Sequence, residues 1–119
     1  MGHTAFLIID MQNDFCLPGA PFEVKGAMEV AKKIREALQA CRKHGLYVVH
    51  VFRYYRPDGS DVEITRYDKF VQVGGALIEG TKGGEIVDEL KPIEGEYLIC
   101  KKRWSAFFQT ELDNLLKRL

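Results

Sequence analysis

The sequence lacks the features that mark several classes of protein. It carries no net charge, because 17 basic residues balance 17 acidic ones, and no overall field therefore favours a nucleic acid. No apolar run approaches the roughly 20 residues that cross a bilayer. Residues 1–4 lead straight into an apolar segment and carry no signal-peptide pattern. We therefore expect a protein that binds neither nucleic acid nor membrane.

Cysteine is scarce as well, since the chain has only 3, at widely separated positions. An odd and unclustered set is typical of reduced thiols and favours a cytoplasmic location. The 3 histidines lack the close spacing of metal ligands, so we expect neither a metal site nor another cofactor. With 46% hydrophobic and 29% charged residues, the chain has the composition and length of one globular domain over residues 1–119.

Three apolar segments are predicted to be strands. The first is almost unbroken in its apolar character, which is typical of a strand covered on both faces of a parallel sheet. The second is rich in β-branched and aromatic residues. The three segments are 4–10, 46–52 and 97–101.

Helical patterns separate these segments. Residues 26–44 are strongly amphipathic, 85–90 read as a short helix, and a last helix begins near Thr110, whose hydroxyl can cap it with Asp113 completing a capping box. Residues 53–80 carry turn residues and are predicted to form a functional loop or lid. This alternation predicts an α/β fold with parallel strands and right-handed crossovers.

Two charged residues end the first and third predicted strands. Because reactive groups collect beyond the carboxyl ends of parallel strands, Asp10 and Lys101 are expected at the same rim of the sheet. Asp10 is either a residue that accepts hydrogen bonds from its own loop or a general base that a nearby cation keeps ionised. Lys101 is either that cation or a snorkelling side chain with a solvated head.

None of the cysteines is predicted to be the nucleophile. Cys41 lies on the apolar stripe of the first long helix, where it is expected to be a small buried hydrophobe. Cys100 alternates with Lys101 and is expected to face the core. Cys16 is nearest the rim, but no neighbouring residue in the sequence supplies a base that would activate it.

Three segments, in order, resemble the isochorismatase-like cysteine hydrolase family, which includes nicotinamidases, carbamoylsarcosine amidohydrolases and ureidoacrylate amidohydrolases. They are FLIIDMQNDF at 6–15, EGTKGGEIVDELKP at 79–92 and KKRWSAFFQTELD at 101–113. The resemblance implies a three-layer α/β/α Rossmann-like fold around a six-stranded parallel sheet. It also implies an Asp-Lys-Cys triad that hydrolyses C–N bonds in small amides, carbamoyl compounds and ureides. Asp10 and Lys101 match the first two members of that triad.

The cysteine of the triad has no counterpart in these residues. In the family it follows a further strand, which pairs with the first strand at the centre of the sheet, and this chain ends at Leu119 before that strand. We therefore expect an N-terminal portion of a longer protein, with one edge of the first strand unpaired. An unpaired edge and the family resemblance both favour association with further copies.

The resemblance also suggests where a substrate binds. The stretch after the second strand lacks the Asp-x-His metal ligands of nicotinamidases, so a metal-free hydrolase with a small-molecule amide or ureide substrate is expected. Basic and aromatic residues there and after the third strand are candidates to bind an anionic or ureide-like substrate. The alternatives are isochorismatase-type hydrolysis of a vinyl ether, or a non-catalytic fragment or pseudoenzyme that serves as an interaction domain. The candidate substrate-binding residues are Gln12, Phe15, Arg53, Tyr54, Arg103 and Trp104.

Overall fold

Three parallel strands form the sheet of the computed structural model, which describes residues 3–119. The strands are β1 (Ala5–Ile9), β2 (Tyr47–Arg53) and β3 (Tyr97–Lys101), in the order β1-β2-β3. Each lies within one residue of its predicted bounds, so the strand predictions are confirmed. Residues 1 and 2, which belong to the segment that was considered for a signal peptide, lie outside the described residues.

Helices cover both faces of the sheet. The helix α2 (Ala27–Lys43) packs on β1 and β2 from one side. On the other side, Leu112 of the helix α4 (Leu112–Arg118) joins Val49, Val51 and Ile99 in a second core cluster. The predicted α/β fold, with helices on a parallel sheet, is confirmed. Within residues 3–119, β1 pairs with β2 alone.

The long helix α2 forms where the amphipathic pattern predicts it. Its Ala31 and Leu38 are fully buried, and Ile34 and Cys41 pack against the same core cluster. Gly45 follows the helix with a φ of 71°, a left-handed conformation in which glycine carries no steric penalty. The spacing of the apolar residues and the glycine stop therefore account for this helix from local sequence alone.

The prediction of a short helix over 85–90 is wrong, because the segment contains only a single 3-10 turn at Asp88–Leu90. Ile86 instead forms an isolated antiparallel bridge with Gln12. The N–H of Val87 donates to the carbonyl of Met11 at 2.9 Å. Pairing with the residues after β1 therefore holds this segment extended, and it overrides the helical spacing of the apolar side chains.

Two helices were not predicted. The helix α1 (Asn13–Cys16) is a single turn just beyond β1, in a segment for which the sequence pattern predicts neither a strand nor a helix. The helix α3 (Ile64–Gln72) lies within the segment that was expected to be a loop or lid. No helix among residues 3–119 combines the length and the apolar character needed to span a bilayer.

The last helix, α4, begins two residues later than the Thr110 start suggests. The Thr110 hydroxyl still accepts a hydrogen bond from the N–H of Leu112 at 3.2 Å, so it caps the helix from just outside. Asp113 forms an ion pair with Lys117 at 2.9 Å. The carboxylate that was expected in a capping box therefore pairs along the helix instead.

The expectation that Cys100 faces the core is wrong. Cys100 is exposed, and Leu98 on the same face of β3 is 55% exposed. Alternation along β3 does place Cys100 opposite Lys101, as predicted. However, α2 packs on β1 and β2, and this face of β3 lies beyond it. Cover by a neighbouring layer, which alternation cannot reveal, decides the burial of Cys100.

Candidate active site

The residues that end β1 and β3 meet across the end of β2. Lys101 Nζ donates to Asp10 Oδ2 at 3.0 Å and to the carbonyl oxygen of Trp104 at 2.8 Å. The Lys101 side chain is only 2% exposed, which excludes the snorkelling interpretation, whereas that of Asp10 is 34% exposed. The rim of the sheet therefore holds a buried ammonium beside a carboxylate that solvent can reach.

Asp10 occupies an unusual backbone position and has an unused oxygen. Its φ is 62°, in the left-handed region that aspartate enters more readily than most residues, and its N–H donates to the Val51 carbonyl at 2.9 Å. Within residues 3–119, Oδ1 is enclosed and accepts no hydrogen bond, so the carboxylate does not bond to its own loop. A buried acceptor without a donor costs about 1–3 kcal/mol. That oxygen therefore keeps its full capacity to accept a hydrogen bond.

A cavity of about 360 Å³ opens beside Asp10. Its wall is mainly apolar and comes from the residues after β1, the start of α2 and the loop after β3. Within this wall, Phe15 is buried and Trp104 is 66% exposed. The lining residues are Asp10, Met11, Phe15, Cys16, Val24, Lys25, Gly26, Ala27, Val30, Arg53, Arg66 and Trp104.

Three of the candidate substrate-binding residues, Phe15, Arg53 and Trp104, line this cavity, and the other three do not. The fully buried Gln12 uses both amide N–H groups on the carbonyls of Arg53 and Gly84, at 2.7 and 2.8 Å. Its Oε1 accepts from the N–H of Arg53 at 2.7 Å. Gln12 thereby ties the end of β1 to the end of β2.

Tyr54 and Arg103 lie elsewhere. Tyr54 lines a separate cavity of about 180 Å³ together with Phe52, and burial raises the pKa of its phenol. Arg103 donates to the carbonyls of Asp61 and Lys102, both at 2.8 Å. Both side chains are therefore outside the wall of the cavity beside Asp10.

Arg53 is the centre of a buried polar network. Its Nη1 donates to Glu63 Oε1 and to the Tyr55 hydroxyl oxygen, both at 2.8 Å, and its Nη2 donates to the Arg103 carbonyl at 2.8 Å. The Tyr55 hydroxyl in turn donates to Glu63 Oε2 at 2.6 Å. Burial and that hydrogen bond raise the pKa of Tyr55. The network holds the Arg53 guanidinium rigidly at the cavity wall.

Sequence reasoning did not find Arg66 and Lys25 as cavity residues. Arg66 lies on the unpredicted helix α3, four residues before the buried Phe70. A spacing of four residues places two side chains on the same side of a helix, and it is the sequence signal that could have indicated α3. Lys25 precedes α2 in a stretch without a diagnostic pattern.

Cys16 also lines the cavity, but it is not an activated thiol. Burial, reinforced by the negative charges of Asp10 and Glu89, raises its pKa to about 11. The thiolate is the nucleophilic form of cysteine, and at neutral pH Cys16 is almost entirely protonated. Cys16 therefore contributes an apolar surface to the cavity.

Comparison with known proteins places this geometry in a family. A family model described as an isochorismatase domain matches residues 4–119. The crystal structure of an isochorismatase family protein from Desulfovibrio vulgaris is similar, with a TM-score of 0.92 and 48% identity, over 99% of this chain and 62% of that chain.

Two curated proteins are similar in sequence. A protein of Arabidopsis thaliana described as a probable inactive nicotinamidase is 39% identical, over 97% of this chain and 60% of its own length. The ureidoacrylate amidohydrolase RutB of Caulobacter segnis is 31% identical, over 96% of this chain and 55% of its own length. The chain thus spans little more than half the length of the curated relatives it matches. Because the family model covers nearly every residue and the fold agrees, the chain belongs to the isochorismatase family.

Proposed function

We propose that the protein hydrolyses C–N bonds in small amides, carbamoyl compounds or ureides, with Asp10 as general base and Lys101 as its charge partner. The observation that carries the proposal is the Asp10–Lys101 ion pair, whose carboxylate has an unused oxygen and lines a mainly apolar cavity. The similarity to a ureidoacrylate amidohydrolase supports this class of substrate.

In the proposed reaction, Asp10 takes the proton of a cysteine thiol, and the Lys101 ammonium favours both the carboxylate and the thiolate. The thiolate attacks the carbonyl carbon, and backbone N–H groups near the cysteine hold the oxyanion. Asp10 then gives its proton to the leaving amine, which departs and leaves a thioester. Finally Asp10 activates a water molecule that hydrolyses the thioester and regenerates the thiol.

The nucleophile in this proposal is not among the three described cysteines. Cys16 is protonated at neutral pH, Cys41 packs from α2 against the core, and Cys100 lies on the opposite face of β3 from Lys101. We place the nucleophile in the part of the family's length that these residues do not match. Association of copies and a cytoplasmic location stay predictions.

The cavity residues have supporting roles in the proposal. Phe15 and Trp104 supply apolar surface that excludes water from the reacting carbonyl. Gln12 positions the backbone of Asp10 and Arg53 rather than contacting the substrate. Tyr54 and Arg103 are not included among the proposed substrate contacts, because neither lines the cavity.

The test uses the full-length protein and measures amine or ammonia release from a panel of small amides and ureides. Asp10→Asn is expected to lower turnover by about 10²- to 10⁴-fold, the usual contribution of a general base. Asp113→Asn, which removes an exposed carboxylate of α4, is the matched control and is expected to retain turnover. Turnover of Asp10→Asn equal to that of the unmodified protein would contradict the assigned role.

A non-catalytic protein is the second candidate, and two observations favour it. Cys16, the cysteine that lines the cavity, is protonated at neutral pH, and one relative is described as a probable inactive nicotinamidase. Alkylation of the full-length protein by a substrate-like electrophile discriminates the two functions. Labelling that Lys101→Met abolishes supports an enzyme. Lys101-independent labelling, together with no hydrolysis of amides or of a vinyl ether, supports the non-catalytic protein.

A further inference from the structure

An arginine that the proposed hydrolysis does not use faces the same cavity. Arg66 lies over the rings of Phe15 and Phe22, with its Cζ 5.8 and 5.3 Å from their centroids. One of its N–H groups donates to the Tyr55 hydroxyl oxygen at 3.3 Å. Among residues 3–119, no carboxylate oxygen lies within 4.0 Å of this guanidinium. The cavity wall therefore carries a cation without a protein counter-charge.

Two acids at and beside the cavity, Glu63 and Asp10, already have partners. Glu63 accepts from Arg53 at 2.8 Å and from the Tyr55 hydroxyl at 2.6 Å. Asp10 is paired with Lys101. The carboxylates of Asp10 and Glu63 are thus matched by cations, whereas Arg66 has no ion-pair partner among residues 3–119. Glu89, whose negative charge acts on the cavity residue Cys16, is likewise without an ion-pair partner there.

Further donors add to this excess of positive charge. Lys25 lines the cavity as well, and the described residues give it no ion-pair partner. The Nε–H of Arg53 is buried in the cavity wall without an acceptor among residues 3–119. Charge interactions are stronger beside apolar walls than in water. The cavity therefore attracts an anion.

We propose that Arg66 binds a carboxylate of the substrate and makes the protein selective for amides or ureides that carry one. This inference rests on the proposed hydrolysis of amides and ureides. A guanidinium is a planar fork that matches a carboxylate with two parallel hydrogen bonds, and the cation–π contacts with two aromatic rings help to hold it at the cavity wall. Because Arg66 and Asp10 line the same mainly apolar cavity, we expect its wall to contact the carbon chain between the carboxylate and the C–N bond that is cleaved.

The test compares two ligands of nearly the same shape, the anionic 3-ureidopropionate and the neutral 3-ureidopropionamide. Binding to the full-length protein is read from the initial change in tryptophan fluorescence on rapid mixing, before turnover, since Trp104 lines the cavity. The acid is expected to bind roughly 10- to 100-fold more tightly than the amide, as a charge-assisted hydrogen bond predicts. Arg66→Gln should remove this preference without weakening the amide. Arg35→Gln, on the exposed side of α2, is the matched control and should leave both affinities unchanged.

Each outcome decides the proposal. Equal binding of the two ligands by the unmodified protein, binding of neither, or an acid preference that survives Arg66→Gln would overturn it. If Arg66→Gln weakens the amide as well, Arg66→Lys decides: a retained preference for the acid supports the proposal, and its loss rejects it.

Failure of the proposed hydrolysis can be distinguished from failure of the proposed anion site. Arg66-dependent binding of the acid without release of ammonia or amine from any substrate supports the anion site and rejects the hydrolase. Hydrolysis of carboxylate-bearing and neutral substrates with a ratio of kcat/KM values that Arg66→Gln does not change supports the hydrolase and rejects the anion site.

Discussion

The two members of the Asp10–Lys101 ion pair differ in burial, and this predicts unequal costs of removing each. The Lys101 side chain is 2% exposed and that of Asp10 is 34% exposed. Asp10→Asn leaves an enclosed ammonium whose remaining acceptors are the Trp104 carbonyl and a neutral amide oxygen. Lys101→Met leaves a carboxylate that water can solvate from the cavity side. We therefore expect the substitution at Asp10 to be the more destabilising.

The magnitude follows from the burial. Removing one partner of a fully buried ion pair costs about 3–5 kcal/mol. Because a third of Asp10 is already solvated, we expect Asp10→Asn to lower the free energy of unfolding by about 2–4 kcal/mol and Lys101→Met by about 1–2 kcal/mol. In the double variant the stranded ammonium is gone, so Lys101→Met in the Asp10→Asn background should recover about 1–2 kcal/mol.

The assay is urea unfolding of the full-length protein at pH 7, followed by circular dichroism. The exposed pair of Asp113 and Lys117 on α4 is the matched control, and removing either member should change the free energy of unfolding by less than about 0.5 kcal/mol. The reasoning is refuted if Lys101→Met costs as much as Asp10→Asn. A double variant as unstable as the sum of the two single ones would refute it equally.

Three other predictions concern the rest of the chain. Hydrogen bonds from Arg42 of α2, the buried His50 of β2 and a backbone N–H lower the pKa of Glu96 from 4.5 to about 2. The stabilisation that the Glu96 carboxylate gives to the folded state is therefore complete above pH 4.5 and is lost as the pH falls through about 2. Glu96→Gln should therefore lower the free energy of unfolding by roughly 3 kcal/mol at pH 7 and by progressively less between pH 4.5 and pH 2, and a pH-independent loss would exclude this cause. A methyl group at Gly84 would lie 2.5 Å from the carbonyl oxygen of Ile78, so we expect Gly84→Ala to cost about 1–3 kcal/mol, and an unchanged thermal midpoint would contradict the predicted clash. Because Cys100 is exposed and the pKa of buried Cys16 is about 11, iodoacetamide at pH 8 should label Cys100 much faster than Cys16. Peptide mapping measures the two rates, and equal rates would contradict the burial of Cys16.

The elements that could be predicted are those whose causes lie within a short stretch of sequence. Residues 5–9 form a strand because an apolar run of that length cannot stay in water, and α2 forms because its apolar residues recur on one side. The meeting of Asp10 and Lys101 was expected for a comparable reason, since parallel strands bring their carboxyl ends to one rim.

The elements that were missed depend on distant partners. The single turn of α1 is held by Asn13, whose side chain donates to the Lys82 carbonyl at 2.7 Å and whose N–H donates to the Glu85 carbonyl at 2.8 Å. The Glu85 carbonyl belongs to the segment 85–90 that was wrongly predicted to be a helix. No local pattern records a hydrogen bond that joins residues about 70 positions apart.

The sequence by itself therefore determined the parallel sheet, its long helix and the rim where a carboxylate and an ammonium meet. Only the tertiary structure decided which side chains surround that rim. The side-chain amide of Gln12 is fully used in hydrogen bonds to backbone groups, and Tyr54 lies at another cavity. Arg66 lies on a helix that was not predicted. The physical reason is that periodicity reports which side of an element is apolar, whereas the contents of a cavity depend on how separate elements pack together.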